Sequence, residues 1–100
     1  MSDNIAATLQ ERGSRYGSYE YHARVTQNLK SVMTEFVRAD GTAPWDKLEP
    51  YHREAIDMIL HKLGRIVNGD PDYDDSWRDI AGYAQLVVNI IANKQKEVKP

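Results

Sequence analysis

The residues best able to do chemistry in this chain form one polar column, on a stretch of helical periodicity between Pro50 and Gly69. Side chains three and four positions apart lie one above another on a helix, so the column is narrow. Carboxylates bind hard cations, a guanidinium binds phosphate, and an imidazole can bind either kind of group. An ordinary solvated helix face would have the same spacing, and the sequence leaves both interpretations open. The column consists of Glu54, Asp57, His61, Arg65 and Asn68.

A second amphipathic helix is predicted after the acidic turn at residues 70–75, and it adds two carboxylates. Asp75 suits the positive end of the helix dipole, while Asp79 lies on the edge of an apolar arc so wide that most of this helix should be buried. A buried carboxylate needs a partner, so we expect Asp79 either to form an ion pair with the preceding helix or to share a metal ion with its carboxylates. The candidate partners are the cations Arg53, Lys62 and Arg65 and the carboxylates Glu54 and Asp57.

Oxygen ligands on two facing helices are what Mg²⁺ requires when it binds phosphates. The chain has no phosphate-binding P-loop, no dinucleotide glycine fingerprint and no Cys/His zinc spacing, and no serine stands in a nucleophile-elbow context. Hard-cation chemistry therefore remains, with Mg²⁺ or Mn²⁺ as the expected cofactor. The predicted metal ligands are Glu54, Asp57, Asp75 and Asp79.

Two glycines bracket a further candidate, the segment from Gly13 to Gly17 that contains Arg15 and Tyr16. Glycines at both ends predict a loop, and a guanidinium beside an aromatic ring suits the phosphate and base of a nucleotide. The alternative is a plain turn between helices in which Tyr16 plugs the edge of the core. His22, farther on, is expected to be a boundary histidine rather than a ligand.

The apolar periodicity predicts a single all-α domain over residues 1–100. We expect a small helical bundle of three long helices at 17–38, 50–68 and 74–94, plus a short N-terminal helix at 4–12 and a frayed tail at 95–100. Pro50 suits a first helical position, and Asn68-Gly69 predicts a left-handed helix end. A core made from 100 residues, 41% of them hydrophobic, is thin. The bundle should therefore be completed by a homodimer or a higher homo-oligomer.

Charge and composition limit the partners. A net charge of −2 argues against non-specific duplex binding as the main task, and no specific nucleic acid is expected as a partner. The chain has no cysteine, no leader-like apolar segment and no run long enough to span a bilayer. We therefore expect a cytoplasmic protein without a membrane partner, in the host cytoplasm if a phage encodes it.

The stretch REAIDMILHKLGRIVNGDPDYDDSWRDIAGYAQL, from Arg53 to Leu86, resembles the hallmark of a family of small phage and prophage proteins. An ERGxxYG-like segment at Glu11 to Gly17 adds to this resemblance. That family is in turn distantly similar to the all-α MazG-like nucleotide pyrophosphohydrolases. Those enzymes cleave nucleoside triphosphates to monophosphate and pyrophosphate, usually as dimers or tetramers. They hold Mg²⁺ with an E-E-x-x-E helix and a later E-x-x-D helix.

The resemblance implies roles for individual residues. Glu54 and Asp57 would take the acidic role of the first motif, and Asp75 and Asp79 that of the second. The doubled glutamate is absent, the second pair is spaced by four, and His61 and Lys62 stand where acidic ligands would be expected. Nucleotide binding is thus better supported than hydrolysis. The catalytic candidates are Glu54, Asp57 and Asp79, and the ligand-binding candidates are Arg15, Tyr16, His61, Lys62, Arg65, Asn68, Trp77 and Tyr83.

Three classes of function follow from these residues. The first is a Mg-dependent nucleoside triphosphate pyrophosphohydrolase that binds a nucleotide or a nucleotide-derived small molecule. The second is a non-catalytic sponge that sequesters a nucleotide second messenger of the host, as an anti-defence protein would. The third is an adaptor that binds a host protein through an exposed apolar face.

Overall fold

The computed structural model describes residues 2–98, with side chains described for residues 4–97. Within this range the chain is all-α, as predicted, and contains no β-strand. None of its helices has the length and hydropathy of a membrane-spanning segment. The elements are α1 (Ser2–Tyr16), α2 (Tyr19–Glu35), a 3-10 helix (Pro44–Lys47), α3 (Pro50–Asn68) and α4 (Asp74–Val98).

Helix α3 lies at the centre of the fold, with α2 packed on one side and α4 on the other. The buried apolar residues of the described chain, Ala55, Leu60 and Ile66, are all on this helix. Because α3 must meet two neighbours, its buried surface is wider than a single stripe and also takes in Lys62 and Gly64. Gly64 lies at the contact with α2, and Lys62 lies at the contact with α4.

The first helix is longer than the predicted segment 4–12, because Gly13 lies inside it. The Gly17 N–H donates to the Gly13 carbonyl oxygen at 3.0 Å, and the chain turns only at Gly17, whose φ of +78° suits glycine. Arg15 and Tyr16 therefore belong to the last turn of α1. The loop that the two glycines predicted is not formed.

Helices α2 and α4 also differ from the predicted bounds. Ser18 occupies the N-cap of α2 without a side-chain cap hydrogen bond, and the helix ends at Glu35, since Phe36 is extended (φ −66°, ψ 130°). Helix α4 continues to Val98, so residues 95–98 are helical, while residues 99 and 100 of the predicted tail lie outside the described residues. Trp45 and other residues of the segment before α3 fold back on the end of α2.

The fold is open. The chain extends over 56 × 36 × 28 Å with a radius of gyration of 17.3 Å, whereas a compact domain of 100 residues has one of about 13 Å. Helix α4 packs along α3, with a further hydrogen bond from Tyr16 of α1 to Asp75, and Trp77 and Val88 on it are 51% and 56% exposed. The expectation that this helix is mostly buried is therefore wrong for the single chain, because α3 covers only one of its faces.

Candidate ligand-binding pocket

A cleft of about 650 Å³ opens where α1, the start of α2 and the second half of α3 meet. This volume is in the range of small-molecule sites, about 300–1,000 Å³. We refer to it as the cleft. The side chains that give it chemical character are two arginines, two histidines and two tyrosines. They are Arg12 and Tyr16 from α1, Tyr19 and His22 from α2, and His61 and Arg65 from α3.

Two glycines join the C-terminal ends of α1 and α3 and thereby fix the shape of the cleft. A Cβ atom on Gly17 would collide with the Asn68 carbonyl group, and one on Gly69 would collide with the backbone of Arg15 and Tyr16. Gly69 has a φ of −126°, so it is not the left-handed helix end that the sequence predicted. Close approach of α1, rather than a positive φ, accounts for glycine at position 69.

Hydrogen bonds tie the same two helix ends together. The Asn68 side-chain Nδ2 donates to the carbonyl oxygens of Tyr16 and Ser18 at 2.9 and 2.8 Å. The Asp70 N–H donates to the Arg15 carbonyl oxygen at 2.8 Å. The bonds to Arg15 and Tyr16 satisfy carbonyl groups that the end of α1 leaves unpaired, while Ser18 is the N-cap of α2. Asn68, a predicted ligand-binding residue, therefore positions the backbone beneath the cleft.

Arg65 and Tyr16 form one wall of the cleft. The Arg65 guanidinium carbon lies 4.1 Å from the centre of the Tyr16 ring, which is the geometry of a cation–π contact. The Tyr16 hydroxyl donates to Asp75 Oδ2 at 3.5 Å. Burial, with a smaller contribution from Asp75, raises the pKa of Tyr16, so its hydroxyl stays protonated at neutral pH. This wall of the cleft therefore combines the positive charge of Arg65 with the uncharged aromatic ring of Tyr16.

His22 and His61 form the other wall. Their rings are 4.6 Å apart at 85°, and His22 Nε2 lies 3.2 Å from His61 Nδ1, so one nitrogen donates and the other accepts. His22 is only 5% exposed. Burial lowers the pKa of His22, and burial together with the charge of Arg65 lowers the pKa of His61 to about 4. Both imidazoles are therefore uncharged at pH 7.

The four carboxylates predicted to hold a metal do not converge within one protomer. Asp57 pairs with Lys30 of α2 at 3.2 Å, and Asp79 pairs with Lys62 at 2.8 Å. Asp57 and Lys62 are five residues apart, so they point about 140° apart around α3. Glu54 is exposed, and the described residues contain no group of three or more Asp, Glu or His side chains able to hold a metal ion.

The carboxylates of one protomer therefore do not fit Mg²⁺ as they stand. A shared site would require the two lysine ion pairs to open, or a second copy to contribute ligands. The cofactor and the catalytic roles of Glu54, Asp57 and Asp79 stay predictions.

In the Lys62–Asp79 ion pair, removing the charge of Asp79 should destabilise the fold more than removing the charge of Lys62. The Lys62 side chain is 11% exposed, whereas that of Asp79 is 39% exposed and keeps contact with water. Asp79→Asn would leave a nearly buried ammonium without a counter-charge, so we expect it to lower the free energy of unfolding by about 1–2 kcal/mol. Lys62→Met keeps the volume and removes the charge, so it should cost less. Urea denaturation checks this, and equal losses for the two variants would contradict it.

The remaining predicted ligand-binding residues lie in different surroundings. Tyr16, His61 and Arg65 come together in the cleft, but Arg15 stacks on the Tyr73 ring at 4.5 Å and pairs with Glu11. The Trp77 indole Nε1 donates to the Pro71 carbonyl oxygen at 2.8 Å, and Tyr83 is half-buried on α4. Lys62 is engaged by Asp79.

Sequence reasoning missed three residues of the cleft. Arg12 lies four residues before Tyr16, so helical spacing would have placed both on one face had α1 been predicted through Gly13. His22 was expected only as a boundary residue, and Tyr19 was not considered. Both face the cleft because α2 crosses α3 at Gly64, a contact without a local sequence signal. Comparisons of the chain with protein-family models, with curated proteins and with solved structures found no match.

Proposed function

We propose that this protein binds a nucleotide or a nucleotide-derived small molecule in the cleft. The observation that carries the proposal is that Arg12, Arg65, two neutral imidazoles and two tyrosines line one concavity. Guanidinium groups bind phosphate oxygens, and an aromatic face stacks on a base. The two imidazoles are neutral and bonded to each other, so they line the cleft without adding a charge that would repel part of the ligand.

Binding is better supported than hydrolysis. Phosphoryl chemistry by a MazG-like route needs carboxylates that are available for a metal ion, and here Asp57 and Asp79 are each neutralised by a lysine. None of these carboxylates lines the cleft. The geometry therefore favours a protein that holds its ligand intact, as the sponge hypothesis expects, with pyrophosphohydrolysis as the alternative that an assay must test.

Calorimetric titration with a panel of nucleotides tests the proposal. The panel includes nucleoside mono-, di- and triphosphates and cyclic mono- and dinucleotides, each with and without Mg²⁺. We expect at least one member to bind wild-type protein and Arg65→Gln to weaken that binding by roughly 10- to 100-fold, as expected for one charge-assisted contact.

The matched control is Arg24→Gln, which makes the same charge change on the exposed surface of α2. Arg24 pairs with Glu20 at 3.4 Å and does not line the cleft. The proposal fails if no nucleotide binds, or if both substitutions weaken binding equally. Mass spectrometry of the nucleotide recovered after denaturation separates binding from turnover: an intact ligand favours the sponge, and monophosphate with pyrophosphate the enzyme.

A further inference from the structure

Helix α4 carries two apolar seams, and only one of them has a neighbour. The first seam faces α3 with spacings of four and three, and its members are buried or half-buried. The second seam begins one residue later, so it points about 100° away around the helix. The first consists of Ser76, Ile80, Tyr83, Val87 and Ile90. The second consists of Trp77, Ala81, Ala84, Val88 and Ile91, all exposed.

The second seam has the 4-3-4-3 spacing of a helix that packs along another helix. In a four-helix bundle, each helix likewise packs against two neighbouring helices that lie about 100° apart around it. All five residues of the second seam are exposed, so no part of the chain within residues 4–97 covers it. Trp77, Val88 and Ile91 are 51%, 56% and 38% exposed on it.

The accessible area is also larger than a monomer of this size should have. The chain exposes 7525 Å², whereas a monomeric protein of 11.5 kDa exposes about 5,800 Å². The excess, about 1,700 Å², is roughly twice the 800 Å² that a standard-size dimer buries per partner. The chain therefore has enough uncovered surface for a dimer interface.

We infer that the second seam of α4 is the interface of a homodimer in which two α4 helices pack antiparallel about a two-fold axis at Ala84. This arrangement places the small Ala84 against its own copy, where the helices can approach closely. It also places the large Trp77 opposite Ile91 of the partner subunit, so each end of the seam is filled by a bulky pair.

Charges along α4 favour the antiparallel direction. The first turn of the helix carries Asp74 and Asp75 beside the positive dipole end, and the C-terminal end carries Lys94 and Lys96. A two-fold axis at Ala84 brings the acidic end of each α4 helix beside the basic end of the other. A parallel pair would instead bring like charges together, which is unfavourable.

A single cysteine tests the axis, since the chain has no cysteine of its own. On the axis, two copies of Ala84→Cys lie close enough for a disulfide, which requires Cα atoms about 4.4–6.8 Å apart. We expect mild oxidation to crosslink this variant nearly completely at micromolar concentration. The control is Asn89→Cys, which is also exposed and whose two copies would lie about 15 Å apart along the helix axis. Equal crosslinking of the two variants would overturn the inference.

Sedimentation equilibrium tests the interface itself. We expect wild-type protein to be a dimer and Val88→Glu to raise the dissociation constant roughly 100-fold or more, because the charge would be buried without a partner. Asn89→Glu makes a similar change off the seam and should leave the dimer intact. A wild-type monomer, or a dimer that Val88→Glu leaves intact, would overturn the inference. If Val88→Glu does not fold, crosslinking of Ala84→Cys decides. The cleft contains no residue of α4, so failure of this dimer would leave the nucleotide proposal standing.

Discussion

Replacing Gly64 with valine is expected to lower the free energy of unfolding by about 3 kcal/mol, at the upper end of typical overpacking costs. Gly64 is where α2 crosses α3. A Cβ atom there would lie 2.5 Å from Thr26 Oγ1 and 2.9 Å from His22 Nδ1. Because His22 is buried against His61, it cannot move aside without breaking the histidine pair. The variant should therefore also disrupt the wall of the cleft that His22 and His61 form.

Gly82→Val is the matched control for this prediction. Gly82 is also helical and is exposed, and an added Cβ would meet nothing within 4 Å. Valine has a slightly better helix propensity than glycine, so this variant should be neutral or a few tenths of a kcal/mol more stable. Urea denaturation followed by circular dichroism at one fixed protein concentration measures both. Similar losses in the two variants would show that helix propensity, not the α2–α3 contact, controls the result.

Local pattern was enough to predict the all-α class. Apolar residues recur with helical period through α3 and α4, and the signals at Pro50 and Asn68-Gly69 lie where the structure begins and ends α3. Gly13 misled the prediction of α1, because an exposed glycine weakens a helix by only about 1 kcal/mol and does not by itself end it. The turn falls at Gly17, where a positive φ and the contact with Asn68 both require glycine.

The site was harder to predict, since it depends on which helix lies beside each residue. Asp57, His61 and Arg65 do share a column on α3, yet Asp57 meets Lys30 while His61 meets His22. Helix α2 crosses the column at an angle and divides it between an ion pair and the cleft. These partners lie 27 and 39 residues away in the sequence, and helical spacing alone carries no information about them. The uncovered seam of α4 has the same origin, because amphipathicity shows that a face is apolar but not what covers it.

The histidine pair should make the fold sensitive to acid below neutral pH. An unfolded histidine binds its proton near pH 6.5, whereas His61 in the fold has its pKa lowered to about 4 by burial and by Arg65, His22 and Lys62. Between these values the unfolded chain binds more protons, so the stability that is full above pH 6.5 is lost as the pH falls toward 4. We expect His61 to account for a loss on the order of 2 kcal/mol over this interval.

The contribution of His61 is isolated by comparing variants, because carboxylates also titrate near pH 4. His61→Gln should reduce the loss of stability between pH 7 and pH 4 relative to wild type, because glutamine does not titrate in this interval. The measurement is a set of urea titrations across this pH range. A His61→Gln curve parallel to that of wild type would show that His61 binds its proton equally in the folded and the unfolded chain, and the lowered pKa of this imidazole would then have to be abandoned.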